Sequence, residues 1–257
     1  MDERNPTGRF SGRAEHYARA RPGYPQEAFD LLVRDCLLKS DSVIVDVGSG
    51  TGISAEPFLK LGFRVIGVEP NQEMRSVAAE ALGKHQGFTS AAGTAEATGL
   101  PAASADLVVA AQAFHWFDKE RAKEEFVRVL RSGGWAALLW NDRKTEETLF
   151  LREYESLLRR LGTDYSKVCH RNLDETAFER FFAPSGFRLE RFGNAQSLDW
   201  EGLAARNLSS SFVPAEGTSC HEGMMRALRE VFDAFAEDGR VTIEYSTRVY
   251  YGRLRPA

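Results

Sequence analysis

The chain has 257 residues, of which 43% are hydrophobic and 27% are charged. This length and composition exclude a mainly disordered or collagen-like chain and favour a globular protein with its own buried core. The 33 Lys and Arg residues and 37 Asp and Glu residues give a formal net charge of -4, without the basic excess typical of nucleic-acid-binding proteins.

Five predicted strands alternate with three predicted helices in the first half of the chain. Apolar and β-branched runs predict strands at residues 42–47, 64–68, 87–92, 106–111 and 135–140. Helical spacing predicts helices at residues 51–61, 71–82 and 119–130, with Asn71 as the N-cap of the second. Alternation of this kind predicts a parallel, doubly wound α/β sheet.

The second half is less regular. Helices are predicted at residues 146–161, 174–182, 201–208 and 221–235, and strands at residues 187–192 and 241–251. No internal repeat or linker interrupts the sequence, so we expect a single domain over residues 1–257 with helical insertions at 142–186 and 199–238.

The cysteines and the hydropathy pattern indicate the cellular compartment in which the protein is expected. Cys36, Cys169 and Cys220 are odd in number, widely spaced and without a CxxC pair, which favours a reducing compartment. The polar N-terminus does not resemble a signal peptide, and no apolar run approaches the ~20 residues that span a bilayer. We therefore expect a cytoplasmic protein. The Cys169-His170 and Cys220-His221 pairs have poor spacing for zinc, so no metal site is predicted.

A glycine-rich turn follows the first predicted strand. Residues 45–52 read VDVGSGTG, a D-x-G-x-G-x-G pattern between a strand and a helix. Glycines there allow a sharp turn and close approach of a ligand, and the N–H groups that begin the next helix can bind a polar or anionic group. Glu69 ends the second strand, 17 residues beyond Gly52, where a carboxylate can accept hydrogen bonds from a ribose diol.

An NAD-dependent oxidoreductase is a weaker interpretation of this turn. Such enzymes prefer G-x-G-x-x-G, but Ile53 stands where the third glycine belongs. Asp46 also stands where those enzymes usually have an apolar residue.

Five segments of the chain, in this order, resemble the class I S-adenosylmethionine (SAM)-dependent methyltransferases. They are VDVGSGTG (45–52), VIGVEPNQEMRSVA (65–78), AGTAEATGLP (92–101), SADLVVAAQAFHWFD (104–118) and RVLRSGGWAALL (128–139). The resemblance is to methyltransferases of type 11, and especially to the trans-aconitate methyltransferase-like group that acts on small molecules. It implies a Rossmann-like, seven-stranded sheet whose last strand is antiparallel, with the insertions as a cap. It also implies methyltransferase activity (EC 2.1.1.-), with S-adenosylhomocysteine (SAH) as the product.

The same resemblance implies a set of cofactor-binding residues. The glycine turn would pass under the methionine part of SAM, Asp46 would order the turn and the amino group, and Glu69 would hold the ribose. Pro70, Asn71 and Met74 would flank the adenine, and residues 94–96 would border its edge, although the family often has Asp where this chain has Thr94. The full set is Asp46, Gly48, Ser49, Gly50, Thr51, Gly52, Glu69, Pro70, Asn71, Met74, Thr94, Ala95, Glu96, Gln112, Ala113, Tyr17 and Arg21.

Two groups of residues are candidates for the acceptor side. Tyr17, Arg21 and Tyr24 resemble a lid within residues 1–30, and Arg21 could also bind an anionic acceptor. Arg206 is the second candidate for an anion, its alternative being an exposed surface arginine.

The segment after the fourth strand supplies the remaining candidates. His115 is the candidate general base because a neutral imidazole accepts a proton near pH 7, whereas a carboxylate acceptor would need no base. Trp116 and Phe117 would border the acceptor, with packing alone as the alternative.

These features predict a SAM-dependent methyltransferase that acts on a small molecule, with a carboxylate or hydroxyl acceptor favoured. The alternatives are a non-catalytic protein of the same fold that binds SAM or SAH, and a methyltransferase that acts on a protein. Neither nucleic acid nor a membrane is an expected partner. The composition is equally compatible with a monomer and a homodimer.

Overall fold

The computed structural model describes residues 20–163, 165, 175–210 and 212–255. The predictions for Tyr17 and for Cys169-His170 lie outside these residues. The strands are β1 (Val43–Val47), β2 (Arg64–Val68), β3 (Phe88–Ala91), β4 (Ala105–Ala111), β5 (Leu130–Arg143), β6 (Arg188–Leu198) and β7 (Val241–Gly252). The helices are α1 (Gln26–Asp35), α2 (Ala55–Lys60), α3 (Gln72–Leu82), α4 (Lys119–Val129), α5 (Leu149–Leu161), α6 (Glu175–Phe182), α7 (Trp200–Leu208) and α8 (Ser219–Phe235).

All seven strands form one sheet in the order β3-β2-β1-β4-β5-β7-β6. The first five are parallel, and β7 is antiparallel to both β5 and β6. The predicted α/β sheet of seven strands with an antiparallel last strand is therefore confirmed. Since β2 and β4 lie on opposite sides of β1, the chain order reverses at β1, and a cleft is expected at the carboxyl ends of these strands.

Side chains alternate between the two faces of the sheet, and both faces are covered. In β1, Ile44 packs on one face while Val45 and Val47 pack on the other, and all five residues of the strand are buried. Parallel strands covered on both sides are apolar throughout, which explains why the sequence predicts them well. Each large apolar side chain buried in this way contributes about 1.5–3 kcal/mol.

A third apolar cluster lies beyond the main sheet. It joins α5, α7 and α8 to the start of β7, with Leu151, Leu203, Leu228 and Ile243 completely buried. Helix α6 also lies within the predicted insertions, but its Phe178, Phe181 and Phe182 pack in the main core instead. Among the residues that the structure places, no helix is both long and apolar enough to cross a membrane.

Several elements differ from the sequence-based expectations. Strand β5 spans Leu130–Arg143, so it begins five residues before and ends three residues after the predicted 135–140. Helix α2 begins at Ala55, four residues later than predicted, because the glycine turn extends through Ser54. Strand β6 runs from Arg188 to Leu198, beyond the predicted 187–192, since its half-exposed, polar sequence carries little strand signal. Helix α1 was not assigned from the sequence, yet it buries Phe29 against Phe58 with ring centroids 4.9 Å apart.

Candidate functional site

The glycine turn occupies the point where the order of the strands reverses. Gly48 has φ +68, and a Cβ there would lie 2.7 Å from the Cβ of Ala113, so no larger residue fits. Gly50 has φ +54, but a Cβ there would have no atom within 4 Å. The turn is thus packed against the protein at Gly48 and open at Gly50, which leaves its backbone accessible to a ligand.

Glu69 connects the glycine turn to the end of β2. One carboxylate oxygen accepts the N–H of Gly50 at 3.1 Å, and the other accepts the N–H of Asn71 at 2.9 Å. Burial raises the pKa of Glu69, and these two backbone donors and the Arg75 guanidinium oppose the rise. The side chain is 9% exposed. Glu69 therefore lies at the turn as a carboxylate held in one orientation.

Asp46 is a buried acid behind the turn. It lies in β1 opposite Gly67 of β2 and Val109 of β4, and its side chain is completely buried. One oxygen accepts the hydroxyl of Ser54 at 2.7 Å, whereas Oδ1 is buried with no hydrogen-bond partner. Burial raises the pKa of Asp46 to about 7, since the Ser54 bond opposes this only partly and the Glu69 charge adds to it. A buried carboxylate oxygen without a donor is costly and is consistent with a ligand cation.

The residues predicted to border an adenine lie after β2 and β3. Asn71 is confirmed as the N-cap of α3, accepting the N–H of Met74 at 3.0 Å. Met74 is 4% exposed. Residues 94–97 form a tight turn in which Thr94 and Ala97 exchange backbone hydrogen bonds. The carboxylate of Glu96 accepts the N–H of Asp118 at 2.9 Å and so links this turn to the start of α4.

A cleft runs from the glycine turn to the antiparallel end of the sheet. It combines the turn with Gln112, with two arginines that the sequence singled out, and with residues of β5 and β7. Among the described residues that line it, Arg21 and Arg206 are the charged ones. The lining consists of Arg21, Pro22, Tyr24, Gly48, Ser49, Gly50, Thr51, Ile53, Ser54, Ala111, Gln112, Asn141, Arg206 and Tyr245.

Arg206 is a buried cleft residue and not an exposed surface arginine. It is 9% exposed, and its Nη1 donates to the hydroxyl of Ser210 at 3.1 Å. Its Nε lies 3.4 Å from the hydroxyl of Tyr245. Arg21 reaches the same part of the molecule, where its Nη2 donates to the carbonyl of Ser209 at 2.9 Å. Two guanidinium groups in one cleft offer charged donors that suit an anionic ligand.

The segment after β4 divides into cleft and core residues. Gln112 has φ +55, an uncommon conformation for a residue other than glycine, and its side chain donates to the carbonyl of Asn141 at 3.1 Å. His115 and Trp116 lie in a 3₁₀ turn with ring centroids 4.7 Å apart. Phe117 packs edge-on against Phe114 at 6.1 Å. His115, Trp116 and Phe117 are not among the residues that line the cleft, and neither are Asp46 and Glu69. The roles predicted for all five residues stay predictions.

Sequence reasoning missed several cleft residues. Asn141 directly follows the predicted strand 135–140, so the rule that polar residues at the carboxyl ends of parallel strands face the site could have found it. Tyr245 lies within the alternating pattern of β7 and carried no such signal. Ser54, the partner of Asp46, was assigned to a helix.

Comparison with known proteins identifies the family. Residues 45–138, which run from within β1 to within β5, match the family model described as a methyltransferase domain. An uncharacterized methyltransferase of Mycobacterium tuberculosis is 37% identical over 153 residues, or 60% of each chain. The protein thus spans about 60% of the length of the mycobacterial relatives that it matches.

Two further relatives from other organisms also match the chain. An uncharacterized methyltransferase of Bacillus cytotoxicus is 31% identical over 147 residues, covering 53% of this chain and 68% of the relative. A Saccharomyces cerevisiae relative, named a probable SAM-dependent methyltransferase, is 32% identical over 127 residues, covering 46% of this chain and 42% of its own.

A solved structure matches the fold over most of both chains. The structure of a protein assigned as a type II methyltransferase, from Anaeromyxobacter dehalogenans, covers 92% of this chain and 99% of its own, with a TM-score of 0.65 and 24% identity. Together with the sheet order and the glycine turn, these matches show that the chain belongs to the class I SAM-dependent methyltransferases.

Proposed function

We propose that the protein transfers a methyl group from SAM to a small molecule that carries an anionic group, with a carboxylate or hydroxyl as the acceptor. Within the family we place it in the trans-aconitate methyltransferase-like group. One observation carries the proposal: a single cleft joins the glycine turn, where the family binds its cofactor, to Arg21 and Arg206. Oppositely charged groups would be needed to complement that end of the cleft.

The residues around the glycine turn, at one end of the cleft, fit SAM. The buried Oδ1 of Asp46 has no hydrogen-bond partner, and an ammonium group would supply a donor of opposite charge. The carboxylate of Glu69 lies at the end of β2, where it can accept hydrogen bonds from a ribose. The open side of Gly50 leaves space beside the backbone. We propose the remaining predicted cofactor residues for the same site.

When bound, SAM supplies an electrophilic methyl group on a sulfonium centre. The contribution of this chain is to position the acceptor in line with that group and to exclude water. Arg206 and Arg21 would hold an anionic group of the acceptor, and Gln112 would offer its amide at the end of β4. A carboxylate acceptor is already ionised and needs no general base.

A hydroxyl acceptor would require a base, and His115 is our candidate. The base assignment is tested by the His115→Ala variant with both acceptor classes. Turnover that is lost with phenols but kept with carboxylates would support it. Equal turnover of wild type and variant with both classes would remove His115 from the mechanism.

Titration calorimetry of the purified chain with SAH tests the proposed cofactor. We expect micromolar binding, or about -8 kcal/mol. Absence of binding by a folded sample stripped of ligand would contradict the proposed function. Transfer of labelled methyl from SAM should then be assayed with small carboxylates, with phenols and with protein extracts. Binding of SAH without methyl transfer to any of these acceptors would favour a non-catalytic protein that binds SAM or SAH. Methyl transfer to a protein would favour a methyltransferase that acts on proteins.

Arg206 provides the test for an anionic acceptor. In the Arg206→Gln variant, which keeps hydrogen-bonding capacity but loses the charge, we expect the KM of a carboxylate acceptor to rise about tenfold, because a hydrogen bond to a charged group contributes roughly 1.5–3 kcal/mol. The affinity for SAH should change less than about twofold. Arg226→Gln, at an exposed arginine of α8 outside the cleft, is the matched control. An unchanged KM would exclude Arg206 from acceptor binding.

A further inference from the structure

Residues 20–25, which we call the strap, line the cleft and contact the end of α7 and the strands β5 and β6. We propose that Asn141 and Asn194 are positioning residues that hold the strap and thereby place Arg21 and Tyr24 in the cleft wall. This inference rests on the proposed function, because the strap matters only if the cleft binds a cofactor or an acceptor.

Two asparagine side chains converge on one carbonyl group of the strap. The Nδ2 of Asn141 donates to the carbonyl of Gly23 at 3.0 Å, and the Nδ2 of Asn194 donates to the same carbonyl at 2.8 Å. A carbonyl oxygen has two lone pairs, so both donors can be accepted at once. Because the contact is to the backbone, the asparagines fix the path of the chain and not one side chain.

The two asparagines are themselves fixed by a third strand. Thr247 of β7 donates its hydroxyl to Oδ1 of Asn141 at 2.5 Å, and Nδ2 of Asn194 donates to the same oxygen at 3.1 Å. Asn141 is 3% exposed and Thr247 is completely buried. The strands β5, β7 and β6 therefore each supply one member of a hydrogen-bonded network that ends on Gly23. Networks of this kind, satisfied internally, specify a single arrangement.

The strap is also held on the N-terminal side of Gly23. The side-chain amide of Gln196 donates to the carbonyl of Ala20 at 3.2 Å, and Arg21 donates to the carbonyl of Ser209 at the end of α7. Arg21, Pro22 and Tyr24 of this segment line the cleft together with the glycine turn. The wall of the cleft on this side is thus built by the strap, and its position depends on side chains from β5 and β6.

The role of the asparagines in holding the strap is best tested at Asn194, because a substitution there does not disturb the buried core. It is half-buried on the edge strand β6, whereas Asn141 is buried. The Asn194→Ala variant removes one donor to Gly23. The Asn194→Asp variant keeps the shape but replaces the donor by a carboxylate, which would face two acceptor oxygens and repel both. Glu190→Ala, at an exposed residue of the same strand, is the control.

The experiment measures hydrogen exchange at residues 20–25 and SAH affinity in the full chain. In both Asn194 variants we expect faster exchange of the strap amides, a dissociation constant for SAH raised about fivefold, and raised KM values for SAM and for the acceptor, with kcat unchanged. Fivefold corresponds to the loss of one hydrogen bond. The Tm should lie no more than a few degrees, about 2–4 °C for the loss of one hydrogen bond, below that of the Glu190→Ala control.

The outcomes that would contradict the strap proposal can be distinguished from the outcome that would contradict the proposed function. Exchange that stays slow in Asn194→Asp would overturn the role of the asparagines in holding the strap. Faster exchange of the strap amides with unchanged SAH affinity and unchanged KM values would show that the position of the strap does not affect binding in the cleft. Failure of the wild-type protein to bind SAH would instead contradict the proposed function, while the exchange measurement would still report on the strap.

Discussion

Replacing Glu69 by alanine is expected to weaken the binding of SAH by about a hundredfold. The carboxylate already accepts two backbone N–H groups, at 3.1 Å from Gly50 and 2.9 Å from Asn71, and it is the proposed acceptor for the ribose hydroxyls. Hydrogen bonds to a charged group contribute roughly 1.5–3 kcal/mol each, so losing two to the ribose would cost about 3 kcal/mol. Titration calorimetry with SAH measures the effect.

Part of this loss would come from the protein itself. Without the carboxylate, the N–H groups of Gly50 and Asn71 lose their acceptor, which destabilises the turn. The Glu69→Gln variant retains one acceptor oxygen and should bind SAH with intermediate affinity. The control is Glu80→Ala, an exposed residue of α3, which should bind SAH as the wild type does. Wild-type affinity in Glu69→Ala would contradict the proposed cofactor site.

The cofactor end of the cleft could be predicted because its signal is local. A buried strand, a glycine turn and the acid after the next strand lie within 27 residues of one another, from 43 to 69. Their relative positions follow from the parallel pairing of β1 with β2. Each feature therefore constrains the others through short stretches of chain.

The opposite end of the cleft could not be predicted in the same way. The contact between Asn194 and Gly23 joins residues 171 positions apart, and that between Asn141 and Gly23 joins residues 118 positions apart. The burial of Arg206 likewise depends on how α7 packs against β7, through Tyr245. Such contacts arise from tertiary packing of half-polar segments, for which spacing along the sequence carries no pattern.

Strand β6 shows the same limit within the sheet. Half-buried and exposed residues alternate along most of the strand, and several of the half-buried positions are polar, among them Asn194 and Gln196. A polar residue at such a position weakens the strand signal, since apolar alternation is what predicts a strand. Asn194 and Gln196 are the residues that contact the strap. Their polarity therefore weakens the strand signal in the sequence and, in our proposal, positions Arg21.

The Asp46→Asn variant is expected to be more stable without ligand and weaker in cofactor binding. Burial raises the pKa of Asp46 to about 7 from an ordinary value of 3.8. A carboxyl whose pKa is raised on folding stabilises the protein most below about pH 4, and this contribution is lost as the pH rises through 7. At pH 8 the ionised group would cost up to about 4 kcal/mol, at about 1.4 kcal/mol for each pKa unit. Asparagine removes that cost, which urea unfolding at pH 8 would measure.

The effect on binding has the opposite sign. A ligand ammonium group favours the ionised form of Asp46, so binding requires loss of a proton when the pH is below the pKa of the ligand-free protein. The affinity of the wild type for SAH should therefore fall about tenfold for each pH unit below 7. In Asp46→Asn we expect a lower affinity at pH 8 and no such dependence. A parallel pH dependence in wild type and variant would assign the titration to another group.

Ser54 provides the matched test of this interpretation. Its hydroxyl donates to Asp46 at 2.7 Å and lowers the pKa of that carboxyl against the effect of burial. In Ser54→Ala the pKa of Asp46 should rise further, and the pH at which SAH affinity begins to fall should rise with it. The stability of the ligand-free variant should decline with pH over a correspondingly higher range. A binding profile that shifts to lower pH, or does not shift, would contradict a role for Asp46 as the titrating acid. A shift in the expected direction would show that one buried carboxyl is retained at a cost to stability because it binds the charged end of the cofactor.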